Sequence, residues 1–246
     1  MSSPVIVCDL EYAVHHLPDL SSKAGFKLKK TFLALIKPNI CGLYHPSLDL
    51  LSSIAEFLLS GAKSVVIGET SSMMHDPKEQ FERLGVNALA KRFGGRVRAV
   101  DLCQDEWVKV RVPSPHALKE IDLSKTVLDS DILVNVPRVG THSTTHLTCA
   151  IKNLFGLLPQ KHKFRVYHPL GVDKVIADIA NVIRPDLNVV DAGSKVILGV
   201  DVLAVDVVAC RFVDVDPIKV EHLRLVSESR GEKLEFFVKG VKVIEV

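Results

Sequence analysis

The chain has 246 residues, of which 47% are hydrophobic and 24% charged, proportions that are typical of a folded globular protein and exclude a disordered or fibrous one. Its 31 basic and 29 acidic side chains leave a formal net charge of +2, which provides no broad field for attracting nucleic acid or an anionic membrane. Because no apolar run reaches the roughly 20 residues that span a bilayer and the first residues lack a signal-peptide pattern, we expect a cytoplasmic protein.

The five cysteines stand far apart along the chain, without the C-x-x-C spacing of zinc or iron–sulfur sites. We expect reduced thiols that are mostly buried, because free cysteine behaves as a small hydrophobe. No iron–sulfur cluster is therefore expected within this chain. The cysteines are Cys8, Cys41, Cys103, Cys149 and Cys210.

Over residues 32–102, short β-branched runs alternate with longer segments of helical period. One of the helices is marked by an apolar stripe from Leu48 to Leu59 and by Gly61, which is placed to end it. This alternation is typical of βαβ units and predicts a mainly parallel sheet. The predicted strands are FLALIKPN, SVVIGET and RVRAVDL, and the predicted helices are HPSLDLLSSIAEFLLSGA and PKEQFERLGVNALAKRFGG.

The middle of the chain starts with EWVKVRVP, whose period-two alternation predicts an antiparallel or edge strand. With the turn-rich PSPH after it, this strand suggests a small lobe around residues 103–127. DILVNVP follows as an uninterrupted apolar strand suited to the centre of a sheet. A helix is then predicted from Thr145 to Pro159, because Leu147, Ile151, Leu154 and Leu158 define one packing face.

Towards the C-terminus the alternation resumes with the helix VDKVIADIANVI, the strand LNVVDA and the helical segment LAVDVVACRF. The final KLEFFVKGVKVIEV has two alternating runs around Lys239 and Gly240, which predicts a β-hairpin. We therefore predict an α/β fold in which residues 1–246 form one domain, with a mostly parallel sheet and helices on both faces.

Ligands of open α/β sheets bind beyond the carboxyl ends of the strands, so polar residues directly after predicted strands are candidate site residues. No G-x-G-x-x-G, P-loop or G-x-S-x-G motif occurs among them, which argues against a dinucleotide, an ATP or an acyl-hydrolase site. The candidates are Lys37, Asn39, Glu69, Thr70, Arg138, Thr141, His142 and Asp191.

The segment GTHSTTHLTCAIKN combines several of these signals. Thr141, Ser143 and Thr144 are all residue types that cap helices, and the first turn of a helix offers free N–H groups to a carboxylate or phosphate. In the predicted helix, Thr144, Thr148 and Lys152 recur every fourth residue as a polar stripe.

Two interpretations of Lys152 remain open. It is either the charged end of a surface stripe or a buried amine beside a cavity. Burial would lower the pKa of this amine and make it a base or nucleophile. The predicted helix from Thr145 to Pro159 carries no acidic residue and a single base, which is unusual for a helix with a solvent face.

A compact run of basic residues follows this helix, and it includes Lys161, Lys163 and Arg165. We expect either a solvated surface loop or a cover over an anionic ligand. The run has no row of aromatic residues for stacking nucleic-acid bases. His142 and His168 are candidate acid–base groups or metal ligands, because imidazole titrates near neutral pH and coordinates transition metals.

Several stretches occur in the order typical of the domain-of-unknown-function 362 family, and their most specific part is the T-x-x-x-K-N-x-F-G core at residues 148–156. The chain resembles this family, which has no established activity, over most of its length. Many relatives carry an added ferredoxin-like segment with two four-iron clusters, whose cysteines are missing here. The stretches are LIKPN, GAKSVVIGET, DSDILVNVPRVGTH, LTCAIKNLFGLLP, His168 and VDVLAVDVVA.

A weaker similarity concerns His142, Lys152 and His168, whose spacings of ten and sixteen residues are similar to those in nickel-pincer lactate racemases. The similarity implies that His142 moves a substrate proton, that Lys152 anchors a pincer nucleotide and that His168 binds nickel. The glycine-rich link of the racemases is replaced here by STTHLTCAI, and their other catalytic histidine has only His75 as a loose counterpart.

The preferred function is an enzyme or cofactor-binding protein that acts on a small anionic carboxylate or phosphate. Three alternatives remain: a nickel-pincer racemase or epimerase of 2-hydroxy acids, a redox partner of separate iron–sulfur proteins, and a non-catalytic ligand sensor. Neither nucleic acid nor membrane is an expected partner, whereas a homo-oligomer or an iron–sulfur protein is. The predicted catalytic residues are Lys152, His142 and Glu69; the cofactor-binding residues are Lys37, Asn39, Thr144, Thr148, Asn153 and Asp191; the metal ligand is His168; and Asp206 is a further candidate.

Overall fold

The computed structural model of the protein describes residues 3–246, and a central β-sheet organises it. The strands are β1 (Val5–Asp9), β2 (Thr31–Pro38), β3 (Ala62–Glu69), β4 (Val97–Asp101), β5 (Trp107–Arg111), β6 (Glu120–Ser124), β7 (Ile132–Val136), β8 (Gly140–His142), β9 (His146–Thr148), β10 (Leu187–Asp191), β11 (Lys195–Gly199) and β12 (Val243–Glu245). The helices are α1 (Leu10–Lys23), α2 (Leu48–Leu59), α3 (Pro77–Arg83), α4 (Val86–Lys91), α5 (Lys125–Asp129), α6 (Ala150–Leu154), α7 (Lys163–Tyr167), α8 (Val172–Val182), α9 (Val202–Ala209), α10 (Glu221–Ser229) and α11 (Leu234–Gly240).

Eight strands form one sheet in the order β12-β1-β11-β10-β7-β2-β3-β4. Neighbouring strands are parallel except where β11 pairs with β1 and with β10. The central strand β7 is buried along its whole length, as a strand covered on both faces must be. The predicted α/β fold with a mostly parallel sheet is therefore confirmed.

Two hydrophobic cores lie on opposite faces of this sheet because successive strand residues point to opposite sides. Along β2, Leu35 belongs to the core under α6, α8, α9 and α10, whereas Ala34 and Ile36 belong to the core under α1 and α2. Helix α2 buries the predicted stripe, and Ser47 caps it by accepting a hydrogen bond from the Leu50 amide at 3.3 Å.

Strand β5 pairs with β6 in a separate antiparallel sheet, which confirms the antiparallel strand predicted from EWVKVRVP. The helix predicted from Thr145 is wrong over its first five residues. Residues 140–148 instead form a second small antiparallel sheet of β8 and β9, and α6 begins only at Ala150. The reason is local: threonine, being β-branched, suits a strand, and His146 turns the chain with a positive φ of 59°.

The C-terminal hairpin is also wrong. Leu234 to Gly240 form helix α11, and the short strand β12 pairs in parallel with β1 at the sheet edge. Leu234, Phe237 and Val238 all pack on the core, a spacing of three and four residues that is helical rather than alternating.

The cysteines are free thiols, and four of the five are buried, as predicted. Within residues 3–246, no helix combines the length and the apolar character that a bilayer crossing requires.

Candidate functional site

A cavity of about 340 Å³ lies at the carboxyl end of β2 and β3, where the loops after both strands meet α6 and the β8–β9 hairpin. Strands that run in parallel end at one edge of the sheet, so residues distant in sequence converge there. The structure brings most of the predicted site residues to this cavity. Those that line it are Lys37, Asn39, Glu69, Thr70, Thr141, His142, Thr148, Lys152 and Asn153.

A buried ion pair forms the floor of the cavity. Lys37 Nζ lies 2.7 Å from Glu69 Oε1 and also donates to the Pro38 carbonyl at 2.6 Å and to Asn153 Oδ1 at 3.2 Å. Glu69 accepts further hydrogen bonds from the backbone amides of Thr70 (2.9 Å) and Ile40 (3.2 Å). All three N–H groups of Lys37 are thus used within the protein, and the pair fixes the shape of the floor.

Gly156, the last residue of the K-N-x-F-G core, lies against the buried ion pair. A Cβ atom at this position would lie 2.9 Å from Lys37 Nζ and 3.4 Å from Glu69 Oε1. The carbonyl of Gly156 also accepts a hydrogen bond from the Thr70 hydroxyl. Glycine therefore lets the backbone close over the ion pair.

A row of buried amides links this floor to the centre of the sheet. Asn153 Nδ2 donates to the Lys37 carbonyl at 3.0 Å and to Asn135 Oδ1 at 2.8 Å. Asn135 in turn donates to Asn188 Oδ1 at 2.9 Å. The sequence analysis missed Asn135 and Asn188, although a buried amide within an apolar strand needs hydrogen-bond partners and is itself a signal.

Lys152 reaches the cavity from α6 and is mostly buried. Its Nζ donates to the Thr145 hydroxyl at 2.8 Å. Burial lowers the pKa of the Lys152 amine from 10.5 to about 7, an effect that the negative charge of Asp173 partly opposes. The interpretation of Lys152 as a surface lysine is therefore wrong.

His142 faces the same cavity from the end of β8. Its Nδ1 accepts hydrogen bonds from the backbone amides of Thr144 (3.2 Å) and Thr145 (3.3 Å). Burial, together with the charge of Lys152, lowers the pKa of the imidazole. The ring is therefore neutral near pH 7, and because Nδ1 accepts, its hydrogen lies on Nε2.

Thr145 connects these two groups, since its amide contacts His142 and its hydroxyl contacts Lys152. This residue was missed as a site residue, because its importance depends on the hairpin that replaced the predicted helix. The exposed Thr144 lies in the turn of that hairpin and does not line the cavity, so the predicted polar stripe with Thr148 and Lys152 does not form.

Lys163 is a buried lysine in the basic run for which the sequence left two interpretations open, a solvated loop or a cover over an anionic ligand. Its Nζ donates to the Ser71 carbonyl at 2.7 Å and to the Thr70 hydroxyl at 3.1 Å. Burial lowers the pKa of its amine to about 8, opposed in part by the charge of Glu69. The sequence could not distinguish Lys163 from its basic neighbours, because Lys161 and Arg165 carry the same charge and are exposed.

The N-terminus of α6 is occupied by the chain's own carboxylate. The amides of Ala150 and Ile151 donate to the two carboxylate oxygens of Asp206 at 2.7 and 2.9 Å. Burial raises the pKa of the Asp206 carboxyl group, and these hydrogen bonds oppose the change. The helix start predicted to bind an external anion is thus both displaced and already satisfied.

Asp191 and Arg138 lie at the same edge of the sheet but outside the cavity. The Asp191 carboxylate accepts from the amides of Ser47 (2.8 Å) and Gly193 (2.9 Å), and lies 3.4 Å from the Arg138 guanidinium. Asp191 therefore joins loops near the site.

His168 does not line the cavity. Its ring packs against the ring of Phe164, a residue that lines the cavity, and the two ring centroids are 3.8 Å apart. Among residues 3–246, no three or more histidine, cysteine, aspartate or glutamate side chains are grouped to hold a metal ion.

Two similar proteins put the chain in context. A thylakoid-associated protein of Synechocystis sp. is 26% identical over 134 residues, which cover 48% of this chain and 42% of that protein. The lactate racemase apoprotein of Thermoanaerobacterium thermosaccharolyticum is similar in structure over 79% of this chain and 53% of that one, with 16% identity and a TM-score of 0.47. The chain thus spans about half the length of the proteins that it matches.

The sequence pattern of one family, described as Domain of unknown function (DUF362), matches residues 34–211. This range contains the last five residues of β2, the whole of β3, β7 and α6, and every residue that lines the cavity. Since the match covers well over half of the sequence, the chain belongs to the DUF362 family.

Proposed function

We propose that this protein is an enzyme that binds a small carboxylate or phosphate in the cavity and transfers a proton with Lys152 and His142. The observation that carries this proposal is the convergence of two lysines of lowered pKa, the half-buried Lys152 and the buried Lys163, with a neutral histidine in one cavity. Titratable groups with shifted pKa values in a concave pocket are typical of active sites.

The charge of the cavity favours an anionic ligand. Four lysines line it against the single carboxylate of Glu69, which Lys37 already neutralises. Among residues 3–246, Lys163 Nζ donates to two acceptors, the Thr70 hydroxyl and the Ser71 carbonyl. An ammonium group has three N–H donors, so one remains to meet an anion. Inside a cavity such a contact is stronger than in water, because the local dielectric is low.

The two groups that flank this cationic site suit opposite steps of a proton transfer. Lys152, with a pKa of about 7, supplies a neutral amine that accepts a proton at neutral pH. His142 presents Nε2–H, which donates a hydrogen bond to an oxygen of the ligand. The reaction class is proton abstraction from a position next to the carboxylate or phosphate group.

Calorimetry with small carboxylates and inorganic phosphate tests the binding step. Wild-type protein should bind at least one of these anions, and Lys163→Met should weaken that binding roughly 10-fold or more, as expected for loss of a charged hydrogen bond. Lys125→Met, which changes a lysine exposed on the surface, should leave binding unchanged. Equal affinity in the Lys163 and Lys125 variants would contradict the proposal.

Deuterium exchange separates an enzyme from a sensor. In D₂O, wild-type protein should exchange the C–H hydrogen next to the carboxylate of a small carboxylate that it binds, and Lys152→Met should not, while still binding that carboxylate. An anion that binds tightly without exchange in the wild type would favour the non-catalytic sensor instead.

A racemase of the nickel-pincer type remains a second candidate because His142 and Lys152, two residues of that resemblance, line one cavity. Of the predicted residues, Lys152 lines the cavity and has a lowered pKa, as anchoring a nucleotide requires, whereas His168 lies outside the lining. The set is incomplete, and we assign no step to a metal. Protein from a host that makes the cofactor should contain nickel and carry added mass on Lys152; absence of both would exclude this candidate.

A further inference from the structure

The mouth of the cavity is largely apolar, in contrast to its floor, although the exposed Thr141 and Lys161 also line it. Leu43, Met73, Met74 and Phe164 line it with 84%, 59%, 76% and 63% of their surfaces exposed. Within residues 3–246, these are four of the six most exposed large hydrophobic side chains. We call these four residues the apolar rim.

Three separate segments supply the rim: the loop after β2, the loop after β3, and α7. Single exposed hydrophobic residues are common on protein surfaces, but a cluster from several segments around one opening marks a binding surface. Two of the four are methionines, whose flexible side chains adapt to varied apolar partners.

The cavity is charged at its buried floor and largely apolar at its exposed mouth. At the floor lie the buried Lys37–Glu69 pair and Lys163, which is 9% exposed, while Lys152 lies along the wall. A simple inorganic anion would satisfy the lysines and leave the rim in water. A ligand with an anionic end and an apolar body would satisfy both.

We infer that the natural ligand is an amphipathic anion, whose carboxylate or phosphate meets Lys163 while an alkyl or aromatic body of about six carbons or more covers the apolar rim. This inference rests on the proposed function and narrows its ligand class. The continuity of the rim with the cationic floor favours this occupant over a separate protein or membrane partner, since neither would reach the buried lysines.

Calorimetry on the full chain tests the inference with a series of straight-chain carboxylates of increasing length: butanoate, hexanoate and octanoate. Alkyl phosphates of the same lengths form a second series. Each methylene group that is fully buried strengthens binding by roughly 4-fold. Because the mouth is open, we expect octanoate or octyl phosphate to bind at least about 10-fold more tightly than its four-carbon counterpart.

The double variant Leu43→Ser with Met74→Ser removes the two most exposed rim residues. It should reduce the preference for eight over four carbons to less than about 3-fold and leave the affinity for butanoate unchanged. Phe236→Ser is the matched control, because Phe236 is 69% exposed and lies outside this cavity. It should preserve the full preference.

The outcomes separate the two proposals. If short anions bind and affinity does not increase with chain length, the amphipathic ligand class is overturned and the proposed anion-binding enzyme is not. Failure of every carboxylate and phosphate to bind would overturn both. Octan-1-ol that binds as tightly as octanoate would overturn the inference, because the anionic group would then contribute nothing. Binding to phosphatidylglycerol vesicles that depends on the rim, while affinity for the carboxylates does not change with chain length, would also overturn it by giving the rim another role.

Discussion

Lys37 and Lys152 line the same cavity but have different surroundings. Lys37 is fully hydrogen-bonded and paired with Glu69, whereas Lys152 contacts only a neutral hydroxyl group among its hydrogen-bond partners. A buried amine without a paired carboxylate loses its proton more easily, because desolvation is not offset by charge attraction. The residue type is the same in both cases, and the neighbours decide the chemistry.

Lys152 should make the stability of the protein depend on pH. The unfolded chain holds the proton up to pH 10.5, whereas the folded protein releases it above about pH 7. Between these values the unfolded state binds more protons, so the free energy of unfolding contributed by this residue rises with pH. Below about pH 7, Lys152→Met should therefore be more stable than wild type, by on the order of 2–4 kcal/mol.

Urea unfolding at about pH 6 and at about pH 10 measures this difference. The advantage of Lys152→Met should shrink towards the higher pH, because the folded wild-type protein then no longer holds a charged amine in the cavity. Lys125→Met provides the control, since its ammonium group is exposed. A stability difference that is the same at both pH values would show that Lys152 keeps its ordinary pKa.

The tautomer of His142 is a second prediction at this scale. Because its Nδ1 accepts from the amides of Thr144 and Thr145, the neutral ring should be protonated on Nε2. Nitrogen-15 NMR of labelled protein near pH 7.5 should show this form, with a titration midpoint below 6.5, as the lowered pKa of the ring requires. Protonation on Nδ1 would contradict the proposed role of His142 as a donor to the ligand.

At the scale of elements, helix α6 differs most from the sequence-based prediction. It has only five residues, and isolated helices of that length are unstable in water. The helix is instead stabilised by packing and by the buried carboxylate of Asp206, which accepts hydrogen bonds from its first two amides. Since α6 carries both Lys152 and Asn153, its position determines the geometry of the cavity.

Replacing Asp206 should destabilise the protein more than removing an ordinary helix cap. Asp206→Ala leaves the Ala150 and Ile151 amides buried without an acceptor, and we expect a loss of on the order of 2–4 kcal/mol. Asp76→Ala removes a partly exposed cap from α3 and should cost about 1 kcal/mol. Urea unfolding compares the two, and an equal or smaller loss for Asp206→Ala would show that the carboxylate does not hold α6 in place.

At the scale of the whole molecule, the Lys37–Glu69 pair and the row of asparagines tie β2, β3, β7 and β10 to α6. The side chains that make these contacts are all buried. A polar network of this kind is costly to disturb, because each member that loses its partner stays buried.

A double-mutant cycle tests how strongly this pair is coupled. Lys37→Met leaves the Glu69 carboxylate buried without its cation, and should cost roughly 3–5 kcal/mol of unfolding free energy. The double variant with Glu69→Gln should cost clearly less than the sum of the single variants. The exposed Lys109–Asp122 pair at 3.2 Å should give a coupling below about 1 kcal/mol; similar couplings for both pairs would contradict a tightly coupled floor.

The sequence by itself determined the α/β class, the mostly parallel sheet and the edge at which polar residues gather. These features follow from patterns of period two and 3.6, which depend only on neighbouring residues. That is why Lys37, Glu69, His142 and Lys152 could be assigned to one region without a structure.

Only the tertiary structure decided which of these residues are buried, paired or free. The buried position of Lys163 and the contact of Asp206 with α6 both depend on segments far apart in the chain. Local patterns carry no information about such contacts, since burial and charge pairing are set by what packs against a residue. The sequence therefore indicated the edge of the sheet at which the cavity lies, and the fold determined which side chains line it and which groups they contact.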